Sequence, residues 1–299
     1  MNDGLGAAGD LPAPPPRDPP AGAAGEELKP ARRSRFLVRV LSGVVMGGAV
    51  LGLLFARPYG LYVVVAVAGG IALWEFRGLS DRMGSRAPSW LLYPLGAYFA
   101  LSGTVLRSLS AELVLGMALV AGMVIFLFLP GRRQGLGRWS MGMAGALYIG
   151  IPFDFYLKLY GAPLGLRWVV FTLVAVVAAD TAALLVGMRF GRRPFFSRIS
   201  PRKTAEGALA GVLLAMVVMV PAGFFALGLA PWHGAALGIL VGLAAIAGDL
   251  VESQMKRIAE VKDSSQLIPG HGGLLDRIDS MLFPGIAVYF YAYFLHLIR

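Results

Sequence analysis

Residues 248–283 read GDLVESQMKRIAEVKDSSQLIPGHGGLLDRIDSMLF, the one long polar stretch in a chain of apolar runs joined by short basic loops. It carries six carboxylates (Asp249, Glu252, Glu260, Asp263, Asp276, Asp279) and four cations (Lys256, Arg257, Lys262, Arg277). Its centre is a turn sequence, Pro269-Gly270-His271-Gly272-Gly273. Acids beside cations beside glycines suit metal-dependent phosphate chemistry. Carboxylate oxygens hold a hard divalent cation, cations take phosphate charge, and glycine lets backbone N–H groups approach closely.

The periodicity of the first half predicts a helix. Asp249, Glu252, Lys256, Glu260 and Asp263 are spaced three, four, four and three residues apart and share one face, with Val251, Met255, Ile258 and Val261 on the other. On spacing alone that charged face is either solvated or a ligand face. Asp276 and Asp279 lie three apart just after the glycine turn, so one helical turn offers both carboxylates to one ligand.

The surroundings are membranous. The chain has 299 residues, 57% hydrophobic and 15% charged, against about a quarter charged in soluble domains. With no cysteine it has no disulfide and no thiolate metal site. We expect an all-α, polytopic transmembrane helical bundle of about nine helices, each of roughly 17 to 22 residues. Their centres fall near Gly47, Val67, Ala97, Leu119, Tyr148, Val176, Val217, Leu240 and Tyr289. Residues 1–34, rich in Pro, Ala and Gly, are expected to form a disordered cytosolic tail ending in a basic cluster. Residues 35–299 then form the integral membrane domain, with 248–283 as its cytosolic catalytic segment.

The cations set the orientation. With the N-terminus in the cytosol, Arg57, Arg107, Lys158, Arg167 and Arg299 are the only five of the 27 Lys and Arg residues on the far side. That is a firm positive-inside pattern. It accounts for the net charge of +10 without nucleic acid, and it predicts a multi-pass protein of the inner (cytoplasmic) membrane with its polar segments in the cytosol. Glycines four apart (Gly43 and Gly47; Gly234, Gly238 and Gly242) suit close helix packing, within the chain or in a homodimer.

Outside the polar segment, Asp180 lies in the sixth helix roughly 12 Å below its cytosolic end, a costly depth for a carboxylate without a partner. Asp154 and Lys158 read as a local ion pair. Glu75, near the inner end of the second helix, is expected at the interface and is left out of the site.

At Ser253-Gln254-Met255-Lys256-Arg257, Lys262-Asp263 and Pro269 to Asp279 the chain resembles the phosphatidate cytidylyltransferase (CDP-diacylglycerol synthase) family. Further elements of the resemblance are Ser200 to Gly207 and Asp180-Thr181. Ala205 departs from it, where an aromatic is usual, and so does the stretch at Ala183, near which one is often found. The resemblance implies transfer of the cytidylyl group of CTP to phosphatidic acid, with magnesium as cofactor in a one- or two-ion site. On that reading Asp249, Asp276 and Asp279 are the metal ligands, and Lys256 and Lys262 are catalytic with them. Lys203, Arg257, Asp263, His271, Gly272, Gly273, Arg277 and Asp180 bind substrate, the two glycine amides cradling a phosphate. The partners implied are CTP, phosphatidic acid and membrane lipid, with no nucleic acid. The competing readings are a transporter, which calls for charged or broken helices at mid-membrane in two related halves, and another lipid phosphotransferase such as a CTP-dependent polyprenol kinase.

Overall fold

Nine α-helices account for most of the described chain, and each encloses one of the nine expected centres. They are α1 (Arg32–Phe55), α2 (Gly60–Arg82), α3 (Ser89–Leu101), α4 (Ala111–Phe128), α5 (Arg132–Gly161), α6 (Gly165–Phe190), α7 (Ala205–Pro221), α8 (Pro231–Ile258) and α9 (Leu275–Phe294). The computed structural model describes residues 32–56, 58–128, 132–268 and 272–298. Most of the expected tail lies outside those residues, but α1 starts at Arg32, inside the boundary drawn from composition.

Length separates the helices. Among the described residues four segments are long and apolar enough to cross a bilayer: α2, α6, α7 with the π-helical turn Ala222–Ala226 that follows it, and α8. The third helix is a correction, because α3 has only 13 residues, about 20 Å of rise against a hydrocarbon core of about 30 Å. Pro94 lies inside α3 without ending it.

Packing is sequential along α6, α7, α8 and α9, while α5 touches α2, α3, α6 and α9. Small residues let the backbones close. A Cβ on Gly234, Gly238 or Gly242 of α8 would meet the backbone of Met219 and Val220, of Met216, or of Val212 on α7. That stripe is used inside the chain. Gly47 of α1, in contrast, faces open space. Likewise Gly207 and Gly211 of α7 lie against the Ala183 and Ala179 carbonyls of α6.

The bundle is apolar inside and outside. Trp168, Phe76, Ile149, Leu157, Met219, Leu237 and Leu275 fill the core. Val67, Val120, Val177, Leu184, Leu213, Val217 and Phe225 stand exposed. A water-facing surface rarely carries so much contiguous apolar area, and a lipid-facing one does.

Helix α8 stops earlier than the charge spacing predicts. Its cap is Ala259, and Glu260 takes a left-handed φ of 54°, so Glu260 and Asp263 leave the face shared by Asp249, Glu252 and Lys256. That face points inward: Glu252 is fully buried, whereas Val251 and Ile258, the apolar side by pattern, are 38% and 55% exposed. An amphipathic pattern shows that two faces differ, not which one meets the solvent.

Candidate active site

Helices α8 and α9 meet at Gly248, where a Cβ would collide with the Asp279 carbonyl. This close approach sets two acidic helix ends side by side. Asp249, Glu252 and Lys256 come from α8, Asp276 and Asp279 from α9. Asp180 arrives from α6 and Lys203 from the segment before α7.

Two lysines tie these acids together. Lys256 forms an ion pair with Glu252 one turn back, and its Nζ donates to Asp276 Oδ1 at 2.6 Å. Lys203 pairs with Asp249, whose other oxygen accepts the Ser253 hydroxyl at 3.1 Å. Asp279 is buried, and its Oδ1 accepts the Ser280 N–H at 2.6 Å. The Ser280 hydroxyl in turn donates to Asp180 Oδ2 at 2.8 Å. The segment carrying Lys203 is itself built by Thr204, which caps α7 by accepting the Gly207 N–H. Glu206 takes the backbone N–H groups of Arg192 and Arg193.

Asp276 is heavily hydrogen-bonded. Its Oδ2 accepts the Ser264 N–H, the Ser264 hydroxyl and the Gly273 N–H, each at 2.8 Å. Burial pushes its pKa up, but the Lys256 ammonium and these backbone donors outweigh burial and hold it below the usual carboxylate range.

One residue that sequence reasoning missed organises this loop. Glu75 of α2 is buried rather than interfacial. Its Oε1 accepts the Ser265 hydroxyl at 2.6 Å and the Leu274 N–H at 2.9 Å, and its Oε2 accepts the Leu275 N–H at 2.5 Å. The carboxylate therefore satisfies N–H groups at the start of α9 that have no partner within the helix. The signal was an acid amid an apolar run, Ala72-Leu73-Trp74-Glu75-Phe76, but its partners lie 189 to 200 positions away.

Five carboxyl groups, those of Asp180, Asp249, Glu252, Asp276 and Asp279, face two ammonium groups, so acids outnumber cations in the cluster. Lys256 is the one partner of the buried Glu252 carboxyl among the described residues, and the buried Tyr148 hydroxyl has no hydrogen-bond partner among them. Among the described residues no three Asp, Glu or His side chains stand together as a metal-holding group. Carboxyl oxygens are the hard ligands that a divalent cation takes.

The other expected residues are placed differently. Arg257 reaches from the end of α8 to the Ile199 carbonyl at 3.1 Å, linking that end to the α6–α7 connection. Lys262, Asp263 and Arg277 lie exposed around the loop. The expectation that the Gly272 and Gly273 amides stand open to a phosphate is not met. Gly272 N–H donates to the Ile268 carbonyl at 3.1 Å, and Gly273 N–H goes to Asp276. His271 lies outside the described residues. Asp154 and Lys158 form the expected local pair at 2.7 Å, remote from these acids, where Asp154 also accepts the Gly103 N–H.

Four helices long enough to cross a bilayer and one cluster of acids and lysines mark a helical membrane protein with a polar candidate site. The chain belongs to the cytidylyltransferase family, whose profile matches residues 37–295. It is 34% identical to a phosphatidate cytidylyltransferase of Helicobacter pylori, over 89% of this chain and 93% of that protein. It is 30% identical to a phosphatidate cytidylyltransferase of Mycobacterium tuberculosis, over 89% of this chain and 87% of that one. The chloroplastic phosphatidate cytidylyltransferase 5 of Arabidopsis thaliana is 31% identical over 88% of this chain and 73% of its own length.

Proposed function

We propose that this protein transfers the cytidylyl group of CTP to phosphatidic acid, giving CDP-diacylglycerol and pyrophosphate, at the cytosolic face of the inner membrane. The observation that supports it best is the convergence of α6, the α6–α7 connection, α8 and α9 on one polar cluster at one end of an apolar bundle. One substrate is water-borne and the other lipid-borne, so their meeting place belongs where helix ends reach the interface.

The reaction forms a bond between a phosphatidate oxygen and the α-phosphorus of CTP and breaks the bond from that phosphorus to the pyrophosphate oxygen. The phosphate monoester is largely ionised near neutral pH, so no strong base is demanded. The obstacle is bringing two polyanions together, which charge neutralisation and positioning overcome. Lys203 and Lys256 would bind phosphate oxygens in exchange for the acids they now hold, and Arg257, Lys262 and Arg277 would extend the cationic rim. Asp249, Asp276 and Asp279 would hold magnesium, with Asp180 beside them. Bound there, the ion would neutralise charge on the triphosphate and the leaving pyrophosphate.

The test is a purified preparation in lipid nanodiscs with magnesium, labelled CTP and phosphatidic acid. A lipid-soluble cytidine product is expected, lost on chelation and restored by magnesium. Asp276→Asn is expected to lower turnover at least a hundredfold with the protein still folded. Wild-type protein that makes no such product would end this reading, and full activity in Asp276→Asn would remove that residue from the site.

A further inference from the structure

One carboxylate on α2 holds both ends of the segment that leads into Asp276. Ser264 and Ser265 lie at its start and Leu274 and Leu275 at its end, and Glu75 contacts all four. The Ser264 hydroxyl stands 3.4 Å from Glu75 Oε2 and donates to Asp276 Oδ2 at 2.8 Å. From there the chain of contacts runs through Asp276 to Lys256 and Glu252, crossing from α2 through α9 to α8. A Cβ at Gly273 would press on Ser264 Oγ, Glu75 Oε1 and Asp276 Oδ2 together, so these groups close around the glycine backbone.

We propose that Glu75 is a positioning residue of the reaction: its buried carboxylate, held by Ser265, Leu274 and Leu275, fixes residues 264–265 and 274–275 so that Asp276 and Lys256 stand ready for the nucleotide. This deepens the cytidylyl-transfer reading and rests on it. The role requires a carboxylate. Two oxygens that only accept meet donors on both sides, and negative charge suits the N-terminus of α9. A glutamine of the same size turns its amide NH2 toward backbone or hydroxyl donors and loses at least one of these contacts. Desolvation makes that loss expensive. An ordinary core acid would tie helix to helix; this one ties a helix to the loop bearing the chemistry.

The experiment compares wild type, Glu75→Gln and Ser265→Ala in magnesium-containing nanodiscs. It measures initial rates against CTP and phosphatidate, and amide hydrogen exchange over residues 260–280. Glu75→Gln is expected to lower kcat/KM for CTP at least tenfold, raising KM for CTP while KM for phosphatidate stays within twofold. Exchange at Leu274 and Leu275 should accelerate at least tenfold while α5 is unchanged. Ser265→Ala, which removes one donor and no charge, should move both readouts in the same direction by about threefold. It carries the test if Glu75→Gln does not fold. A merely structural acid would lower the amount of folded enzyme without separating the two KM values. Equal KM shifts, or unchanged exchange at Leu274 and Leu275, overturn the proposal. If wild type makes no cytidylyl product, the reaction assignment fails; the exchange comparison then still decides whether Glu75 holds the segment.

Discussion

At the scale of single residues, the site is held by unequal charge pairing. Glu252 has zero solvent exposure and its ion-pair partner is Lys256, which also serves Asp276. Removing one partner of a buried pair leaves a desolvated charge, at a cost of about 3–5 kcal/mol. Lys256→Met should therefore lower the thermal midpoint in detergent strongly, and Lys256→Met with Glu252→Gln should recover at least half of the loss. Equal melting of wild type and the single variant would show that the pair contributes little. Sequence spacing placed Asp249, Glu252 and Lys256 together correctly, because all three lie on one helix. It misplaced Glu260 and Asp263, since periodicity continues past a helix end that only backbone conformation sets. Glu75 stayed hidden because nothing local to an acid in an apolar run names what it will accept.

At the scale of elements, the α8–α9 crossing decides how close the acids come. Gly248 has no room for a side chain against the Asp279 backbone. Gly248→Val would force the helices apart at a cost of about 1–3 kcal/mol, the usual range for overpacking. It should depress turnover more than stability, because Asp249 and Asp279 move with the crossing. Gly47→Val, on a surface facing open space, serves as the control and should leave both unchanged. Cytidylyl transfer and melting measured on the two variants decide this, and an active, wild-type-like Gly248→Val would show that the crossing tolerates separation. The existence of nine helices was legible from hydrophobic runs alone. The length of α3 was not: whether a run reaches across a bilayer or stops at 13 residues depends on where the chain turns back to pack on α5.

At the scale of the whole molecule, the polar contacts sort to two ends. Glu75, Asp249, Asp276 and Lys203 gather at one, and Gly103 with Asp154 and Lys158 at the other. The proposed orientation puts the first end in the cytosol. The chain has no cysteine, so single introduced thiols report position directly. A membrane-impermeant maleimide should label Ser108→Cys on intact spheroplasts and Ser197→Cys only after permeabilisation; the reverse pattern would place the site on the wrong face for CTP.

Composition and one polar stretch were enough to establish a helical membrane protein and to pick out the stretch that carries most of its acid-and-lysine cluster. Those properties follow from transfer energies and local spacing, which the chain carries residue by residue. Which acids share a lysine, which amides are already taken, and that Glu75 belongs beside Asp276 were decided only by tertiary structure. Lys256 with Asp276 and Glu75 with the start of α9 are contacts between separate helices, and the Gly272 and Gly273 bonds belong to a loop whose backbone path local spacing does not set.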